Sequence, residues 1–381
     1  MSHVANLNRT ECVGCGLCVS VCKRGAISLC EEDDGFAYPR IDTNLCVNCH
    51  SCEKNCIVQK KKEHHQLTCK AMYAARARSM EVRRRSSSGG VFYSLAQKVL
   101  KNGGVVYGAR IDEFGEVRHI SVETLEILNT VLGSKYVQST FQVVFDQLPK
   151  LLQSNRQILI CGTPCQIAAV RRRFGTHPNL ILVDFLCHGV GSPKVFQAHL
   201  KEILRAQPAN EISFRSKSIS WKAYGVKLTS EKKHYFRFHR RDRYMSLYLQ
   251  NLVLRKSCYD CRYLDSEADI RLGDFWETEY IPQLQNTSDG VSKVYVYTEQ
   301  GSTLLQSVEQ ELETIPVDLQ DMPSERHIPI DLDRRKALFE DLEHKPFRLV
   351  AKKYIIQPSM KVRVYRWLNY RRKEVINKWI E

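Results

Sequence analysis

Two copies of the spacing CxxCxxCxxxC, Cys12, Cys15, Cys18, Cys22 and then Cys46, Cys49, Cys52, Cys56, stand 34 residues apart and dictate the N-terminal part of this 381-residue chain. A CxxCxxC run wraps three thiolates around one face of a cube, and the fourth cysteine of each copy crosses to the other cluster. The pattern assigns Cys12, Cys15, Cys18 and Cys56 to one 4Fe–4S cluster, and Cys46, Cys49, Cys52 and Cys22 to a second. Gly14 and Gly16 suit the tight path on which backbone N–H groups face the sulfides. Structural zinc is the competing reading, but it is usually met with two CxxC pairs split by a longer spacer. Between the motifs, Ile27 to Ile41 reads as a hairpin turning at Asp33-Asp34-Gly35, and Cys30 as a buried thiol outside both ligand sets.

The run Gln59 to Lys70 is polar and basic, as expected of a linker into a larger domain. From Ala71 onward short β-type runs alternate with helical segments. Gly104 to Arg110, Gln157 to Cys161 and Asn179 to Leu186 read as strands. Thr163 to Phe174 and Ser192 to Ala206 read as helices, the second with Ser192 as N-cap and Pro193 in its first turn. Strand, helix, strand, helix predicts a parallel sheet with crossovers. The expected fold class is an α+β ferredoxin-like two-cluster module over residues 1–58, followed by an α/β domain with a mainly parallel or mixed sheet over 71–330. A basic helical tail over 331–381 completes the expected organisation.

In parallel α/β sheets ligands gather at the carboxyl ends of the strands. Cys165 follows one expected strand, in the turn Gly162-Thr163-Pro164 at a helix N-terminus, and Cys187 ends the next, just before His188-Gly189. Cys258 and Cys261 add a CxxC pair. Four thiolates converging this way suggest a third 4Fe–4S cluster, its charge eased by the helix N-terminus at Cys165. Cys161 competes for the same role but lies inside the apolar strand run, as a core thiol would. Two other readings stand beside the cluster: all four cysteines as small buried hydrophobes, or Cys258 and Cys261 as a redox dithiol.

Composition narrows the class. A formal charge of +15 raises nucleic acid as a partner, but the densest basic runs, Lys60 to Lys62, Arg83 to Arg85 and Arg171 to Arg173, form no single stripe. No nucleic-acid-reading module is recognisable, and these runs read as solvated faces, with acidic or phosphorylated ligands second. Fifteen cysteines in a chain whose first nine residues hold no apolar stretch argue against a disulfide framework and for the reducing cytoplasm. The most apolar stretch, Asn179 to Cys187, is far short of the ~20 residues that span a bilayer, so a soluble or at most peripheral protein is expected. The stretch Arg363 to Glu381 reads as an amphipathic packing helix, with docking on a partner or a membrane surface as the alternative.

Over about the first 58 residues the chain resembles the two-cluster bacterial ferredoxins, with Lys23 and Ile57 where that pattern usually has proline after the fourth cysteine. The body has its own resemblance. Cys161-Gly-Thr-Pro-Cys-Gln-Ile-Ala, Asp184-Phe-Leu-Cys-His-Gly, and Cys258-Tyr-Asp-Cys followed by Asp269-Ile-Arg-Leu-Gly-Asp-Phe-Trp resemble the beta subunit of coenzyme F420-reducing hydrogenase. That family also includes beta subunits of F420-linked formate dehydrogenases and a plant chlorophyll-cycle reductase. The likeness extends upstream through Ser86-Ser-Ser-Gly-Gly90 and Gly133-Ser-Lys-Tyr-Val-Gln-Ser139, with one departure at Gly191, where relatives often have proline.

The resemblance implies an oxidoreductase that binds FAD and a 4Fe–4S cluster, with Cys165, Cys187, Cys258 and Cys261 as ligands. It implies flavin contacts from Ser87, Ser88, Gly89 and Gly90, from Ser134, Lys135 and Tyr136, and from Gly162 and Thr163. Physically, Ser86 to Gly90 opens the expected helix Val91 to Lys101, where small residues and N–H groups allow close approach of a pyrophosphate, and Lys135 brings positive charge. Ser88 as an ordinary helix cap is the plainer alternative. Trp221, Trp276 and Tyr224 are candidates for stacking on a flavin or for core packing, and His188 for proton relay or loop packing. The expected partners are a redox protein, such as a ferredoxin or a partner oxidoreductase, and a small substrate for which F420 is one candidate. The runner-up function is an electron-transfer subunit that feeds a separate catalytic partner.

Overall fold

The computed structural model describes residues 4–59, 67–318 and 331–356. Thirteen strands follow one another along these residues: β1 (Ile27–Glu31), β2 (Ala37–Ile41), β3 (Ala71–Ala77), β4 (Val105–Ile111), β5 (Val117–Val122), β6 (Ile158–Cys161), β7 (Leu180–Phe185), β8 (Glu211–Ser216), β9 (Gly225–Thr229), β10 (His234–Phe238), β11 (Ile270–Asp274), β12 (Ser292–Val296) and β13 (Leu312–Val317). Eight of them form one mixed sheet in the order β13-β3-β12-β11-β7-β6-β4-β5. Its centre, β4, β6, β7 and β11, is parallel, and every other pairing is antiparallel. The expected α/β domain is present, with the sheet mixed at both edges.

The central strands are continuous apolar runs because both faces are covered. Ile158, Ile160, Leu180 and Leu182 pack to one side, with Phe145 and Leu148 of helix Gln142–Leu151 and Ile167 and Val170 of helix Pro164–Phe174. Leu159, Ile181 and Val183 pack to the other, with Leu95 and Val99 of helix Val91–Lys101. Helix Pro164–Phe174 starts where sequence chemistry puts it, with proline at N1 and a Thr163/Gln166 capping box. Helix Pro193–Leu204 starts at the Ser192 cap and ends two residues before the expected boundary. Ser88 does not cap helix Val91–Lys101. Gly90 does, in the left-handed region at φ 88°, while the Ser88 hydroxyl donates to Val291 O at 2.7 Å.

A second layer is built from the antiparallel sheet β10-β9-β8 and helices Pro193–Leu204, Arg243–Leu249, Leu332–His344 and Phe347–Tyr354. Phe196, Tyr244, Leu338 and Val350 share its core. The C-terminal region is therefore helical over residues 332–354 and packed on the body; the basic stretch 363–381 lies outside the described residues, as does 60–66 of the expected linker. Among the described residues no helix is long and apolar enough to cross a membrane.

The N-terminal module shows its internal repeat in the backbone. Gly14 and Gly16 have φ of 68° and 82°, and their counterparts in the second copy, Asn48 and His50, have 54° and 59°. Each left-handed step precedes a short helix, Leu17–Ser20 or Ser51–Asn55. Asparagine and histidine tolerate this region better than most residues, so the second copy keeps the path without glycine. The expected β1–β2 hairpin forms, with Ile27 opposite Ile41, while Cys30 is only half-buried.

The module shares a core and a seam with the body. Leu17, Val21, Ile57 and Val58 pack in the cluster that covers β6 and β7. At the hairpin tip the Ser192 hydroxyl donates to Asp34 O at 2.7 Å, and the Arg335 guanidinium to Asp34 Oδ2 at 2.9 Å. Both side chains of that ion pair are at most a tenth exposed. Arg172 reaches Lys54 O at 2.9 Å, and Gln138 reaches Val13 O at 3.2 Å.

Candidate iron–sulfur and flavin site

The cysteines of the first motif gather as the crossover rule requires. Burial pushes the Cys15 thiol well above its ordinary value, and the neighbouring Cys18, Cys56 and Cys12 push it further. Cys18 is driven up to about 12 by burial, then by Cys12 and Cys56. Cys56, from the second motif, is raised by burial and then by Cys12 and Cys52. Cys12, Cys15, Cys18 and Cys56 are thus mutual neighbours.

Cys22, Cys46, Cys49 and Cys52 form the outer side of the module. Cys49 is exposed, Cys22 accepts from Ala26 N at 3.3 Å, and Cys46 lies 3.9 Å from Asn48 Oδ1. Partial burial raises the Cys52 thiol.

A second set of four gathers at the carboxyl ends of β6 and β7. Cys187 is pushed well up by burial, with Cys258, Cys165 and Cys261 adding to it. Cys258 is driven to about 12 by burial, with Cys165 and Cys261 adding, and Cys165 to about 11 by burial, with Cys261 adding. Cys161 stands apart: it too rises to about 12 through burial, but its charged neighbours are Asp184 and Lys135. Thr163 Oγ1 lies 3.3 Å from the Cys165 sulfur and steadies it at the helix start.

Four buried thiols that each resist ionisation beside the others are a poor arrangement by themselves. A 4Fe–4S group held there would take them as thiolates and offset about half of their charge. The donor set fits a 4Fe–4S group. Among the described residues no three such side chains close on one point as they would around a single ion.

Two motif residues explain how the strands that carry these cysteines are locked. Asp184 and Arg271 sit opposite each other in the parallel β7–β11 register and form a buried two-pronged ion pair, with both hydrogen bonds at 2.8 Å. Burial still pushes the Asp184 carboxyl up, with Arg271 opposing it. Asp269 accepts Leu182 N at 2.7 Å and Thr298 Oγ1 at 2.8 Å, which fixes the neighbouring register.

His119, which no sequence motif marks, holds the turn between Cys161 and Thr163. Its Nε2–H donates to Cys161 O at 2.9 Å, and its Nδ1 accepts from the Ser139 hydroxyl at 3.0 Å, which in turn accepts from Gln166 Nε2 at 3.1 Å. Burial lowers its pKa from 6.5 to about 4. The unfolded chain therefore binds this proton between pH 6.5 and 4 and the folded chain does not, so stability is full above pH 6.5 and falls as the pH drops toward 4. The expected loss is about 3 kcal/mol. Urea unfolding of the chain and of His119→Gln across this range measures it; equal slopes in the two proteins would refute the assignment.

Beside the sheet lies a cavity of about 750 Å³, lined by Ser87, Gly133, Ser134 and Lys135 and by a group of basic side chains. Ser87 Oγ accepts from Ser134 N at 2.5 Å, tying together the two serine-containing segments of the sequence. Burial lowers Lys135 to about 7, and its ammonium donates to Val131 O and Leu132 O at 2.8 and 2.7 Å. The firm positive charge comes instead from Arg84, Arg85, Arg110 and Arg215, which also line the cavity, while burial lowers Lys217, a further lining residue, to about 7. Sequence reasoning read Arg84 and Arg85 as solvated and passed over the others. A register shift between Ser213 and Ser216 in the β8–β9 pairing frees Phe214 and Arg215 from the ladder, and such bulges leave no local sequence signal.

The remaining expected contacts are placed as follows. Ser88 and Gly89 are tied to Val291 O and Ser292 Oγ, and Gly162 and Thr163 to the start of helix Pro164–Phe174, outside the cavity lining. Tyr136 packs its ring on Tyr248 and Phe214. Trp221 is fully buried and stacked 4.4 Å from Trp276, while Arg215 covers Trp276 and Tyr224 and donates to Asp274 at 2.6 Å. His188 Nε2 lies 2.8 Å from Asn251 Oδ1.

Residues 155–320 match the family described as the C terminus of the coenzyme F420 hydrogenase/dehydrogenase beta subunit, and residues 11–60 match the 4Fe-4S dicluster domain. The chain thus carries one stretch similar to a 4Fe-4S dicluster domain and, after it, one similar to the C terminus of the coenzyme F420 hydrogenase/dehydrogenase beta subunit. The dicluster match and the many cysteines support iron–sulfur clusters. An uncharacterized ferredoxin from Methanocaldococcus jannaschii is 34% identical over 50 residues, 13% of this chain and 64% of that relative. A structure of the F420-reducing NiFe hydrogenase complex from Methanosarcina barkeri aligns at TM-score 0.47 and 17% identity, covering 75% of this chain and 92% of that one.

Proposed function

We propose that this beta-subunit-like chain is an iron–sulfur flavoprotein oxidoreductase, in which electrons pass between the N-terminal thiol sets, the Cys165/Cys187/Cys258/Cys261 set and FAD, with a small molecule as terminal substrate. The observation that carries the reading is the buried gathering of those four cysteines at the strand ends, next to the Cys12/Cys15/Cys18/Cys56 set. Tyr263 marks the contact between the two sets. It is 5% exposed, and burial first, then Cys165, Cys15, Cys56 and Cys261, raise its hydroxyl far above the ordinary range. One-electron centres in such proximity supply a flavin, which takes electrons singly and delivers them in pairs.

The basic cavity suits the anionic part of FAD: Ser87 and Ser134 leave room, and Arg215 keeps two guanidinium nitrogens without a hydrogen-bond partner among the described residues. The protein's task there is to hold the dinucleotide and exclude water. Ser87→Tyr fills the cavity, and is expected to reduce bound flavin to below about a tenth of the wild-type content while leaving iron unchanged. Flavin released from purified protein after supply with FAD, measured beside iron, is the test; wild-type protein without flavin would end the reading. A second reading, an electron-transfer subunit that feeds another protein, is favoured by the beta-subunit family match. Flavin reduced by a diffusible substrate supports the enzyme, and silence until a second protein is added supports the alternative.

A further inference from the structure

Arg255 is 1% exposed, and its hydrogen-bond partners are all uncharged. Its Nε donates to Cys12 O at 2.8 Å, Nη1 to Gln138 Oε1 at 2.8 Å and Nη2 to Ala37 O at 3.0 Å, with the Cys12 sulfur 3.8 Å from Nη2. The guanidinium also lies over the Tyr38 and Phe36 rings, 4.2 and 5.4 Å from their centroids. Among the described residues no carboxylate pairs with it. A cation buried without a counter-charge costs several kcal/mol, so a negative charge must stand nearby when the protein is in its working form.

The backbone of Arg255 belongs to the other thiol set. Its N–H donates to Val190 O at 3.0 Å, behind Cys187, and its carbonyl accepts from Cys258 N at 2.9 Å. The side chain thus starts at one set and ends at the other. The sequence makes room for it: a Cβ on Gly14 would stand 2.7 Å from Nη1 and 2.8 Å from Cζ.

We propose that Arg255 is the shared counter-charge of the Cys12/Cys15/Cys18/Cys56 set and the Cys165/Cys187/Cys258/Cys261 set, a positioning residue that holds the two at fixed separation and raises the reduction potential of both. This rests on the cluster reading above. Each centre takes up one electron and becomes more negative by one charge, and a fixed cation between them favours that state on either side. Among the described residues, no hydrogen bond of the Arg255 side chain goes to Cys22, Cys46, Cys49 or Cys52.

The test is redox titration of the anaerobically reconstituted full chain, followed by EPR, for the wild type, Arg255→Gln and Arg255→Lys. Arg255→Gln is expected to lower both inner potentials by at least about tenfold in equilibrium constant, which is about 59 mV for one electron, and to leave the outer one unchanged. Arg255→Lys, which keeps the charge and loses the fork, is expected to recover most of that shift. Full iron content with all three potentials unmoved in Arg255→Gln, or an equal shift in all three, overturns the proposal. Should Arg255→Gln not fold, Arg255→Lys decides: inner potentials near wild type support the counter-charge, and a tenfold loss refutes it. Wild-type protein with only two clusters' worth of iron would instead refute the cluster reading itself.

Discussion

Anaerobically purified chain is expected to carry about twelve iron atoms, and Cys187→Ala about eight, because a 4Fe–4S group that loses one thiolate has an iron without its fourth protein bond. The same loss is expected for Cys165→Ala, Cys258→Ala and Cys261→Ala, the residues that surround Cys187. Cys161→Ala should keep all twelve. Cys161 packs against a different apolar cluster from Cys165 and Cys261, so the substitution deletes only a small packed group and costs about 1 to 2 kcal/mol. Iron analysis with low-temperature EPR decides between them. If Cys161→Ala strips four irons while Cys165→Ala retains them, the strand end, not the helix start, holds the group.

The second large effect is at the hairpin tip. Gly35 has φ +74°, and a Cβ there would meet the Lys194 side chain, Ser192 Oγ at 2.8 Å and Lys194 N at 2.9 Å. Gly35→Val adds left-handed strain for a β-branched residue and forces the tip away from the body, which separates Asp34 from the buried Arg335. The expected destabilisation is about 4 kcal/mol, chiefly from that unpaired guanidinium. Urea unfolding reads the loss, and limited proteolysis reads the freed hairpin. Wild-type stability with a protected hairpin would show that the seam carries no such weight.

These two sites also show what a sequence can and cannot reveal. The ligand spacing of the N-terminal cysteines is local, so the module was legible down to its hairpin and turn. Cys165 and Cys187 were legible because parallel strands end at one edge, a rule that needs only the order of elements. Cys258 and Cys261 are brought to that edge by a chain path that periodicity does not contain, and the resemblance placed them there before geometry did. The antiparallel edges formed by β3, β12 and β13 depend on pairings across more than two hundred residues, which no local pattern encodes. The cavity cations were missed for a similar reason: Arg215 reaches it through a bulge, and Lys217 is held by the carbonyls of Ser88 and Asp289, which are remote in sequence. Ser88 was read as a cap because its position before a helix suits one, whereas the tertiary bond to Val291 O took its hydroxyl.

The seam between the hairpin tip and the body has one more consequence. Asp34 is gripped by Arg335 and Ser192 and Lys54 by Arg172, and the module's own apolar residues complete the core beneath β6 and β7. A carrier built to swing on a tether would need the opposite: a wet, weakly held boundary that opens and closes with each delivery. On the cluster reading, this architecture is a wire and not a shuttle. The path length between the inner centres is set once, when the chain folds, and no large displacement stands between the arrival of one electron and the next.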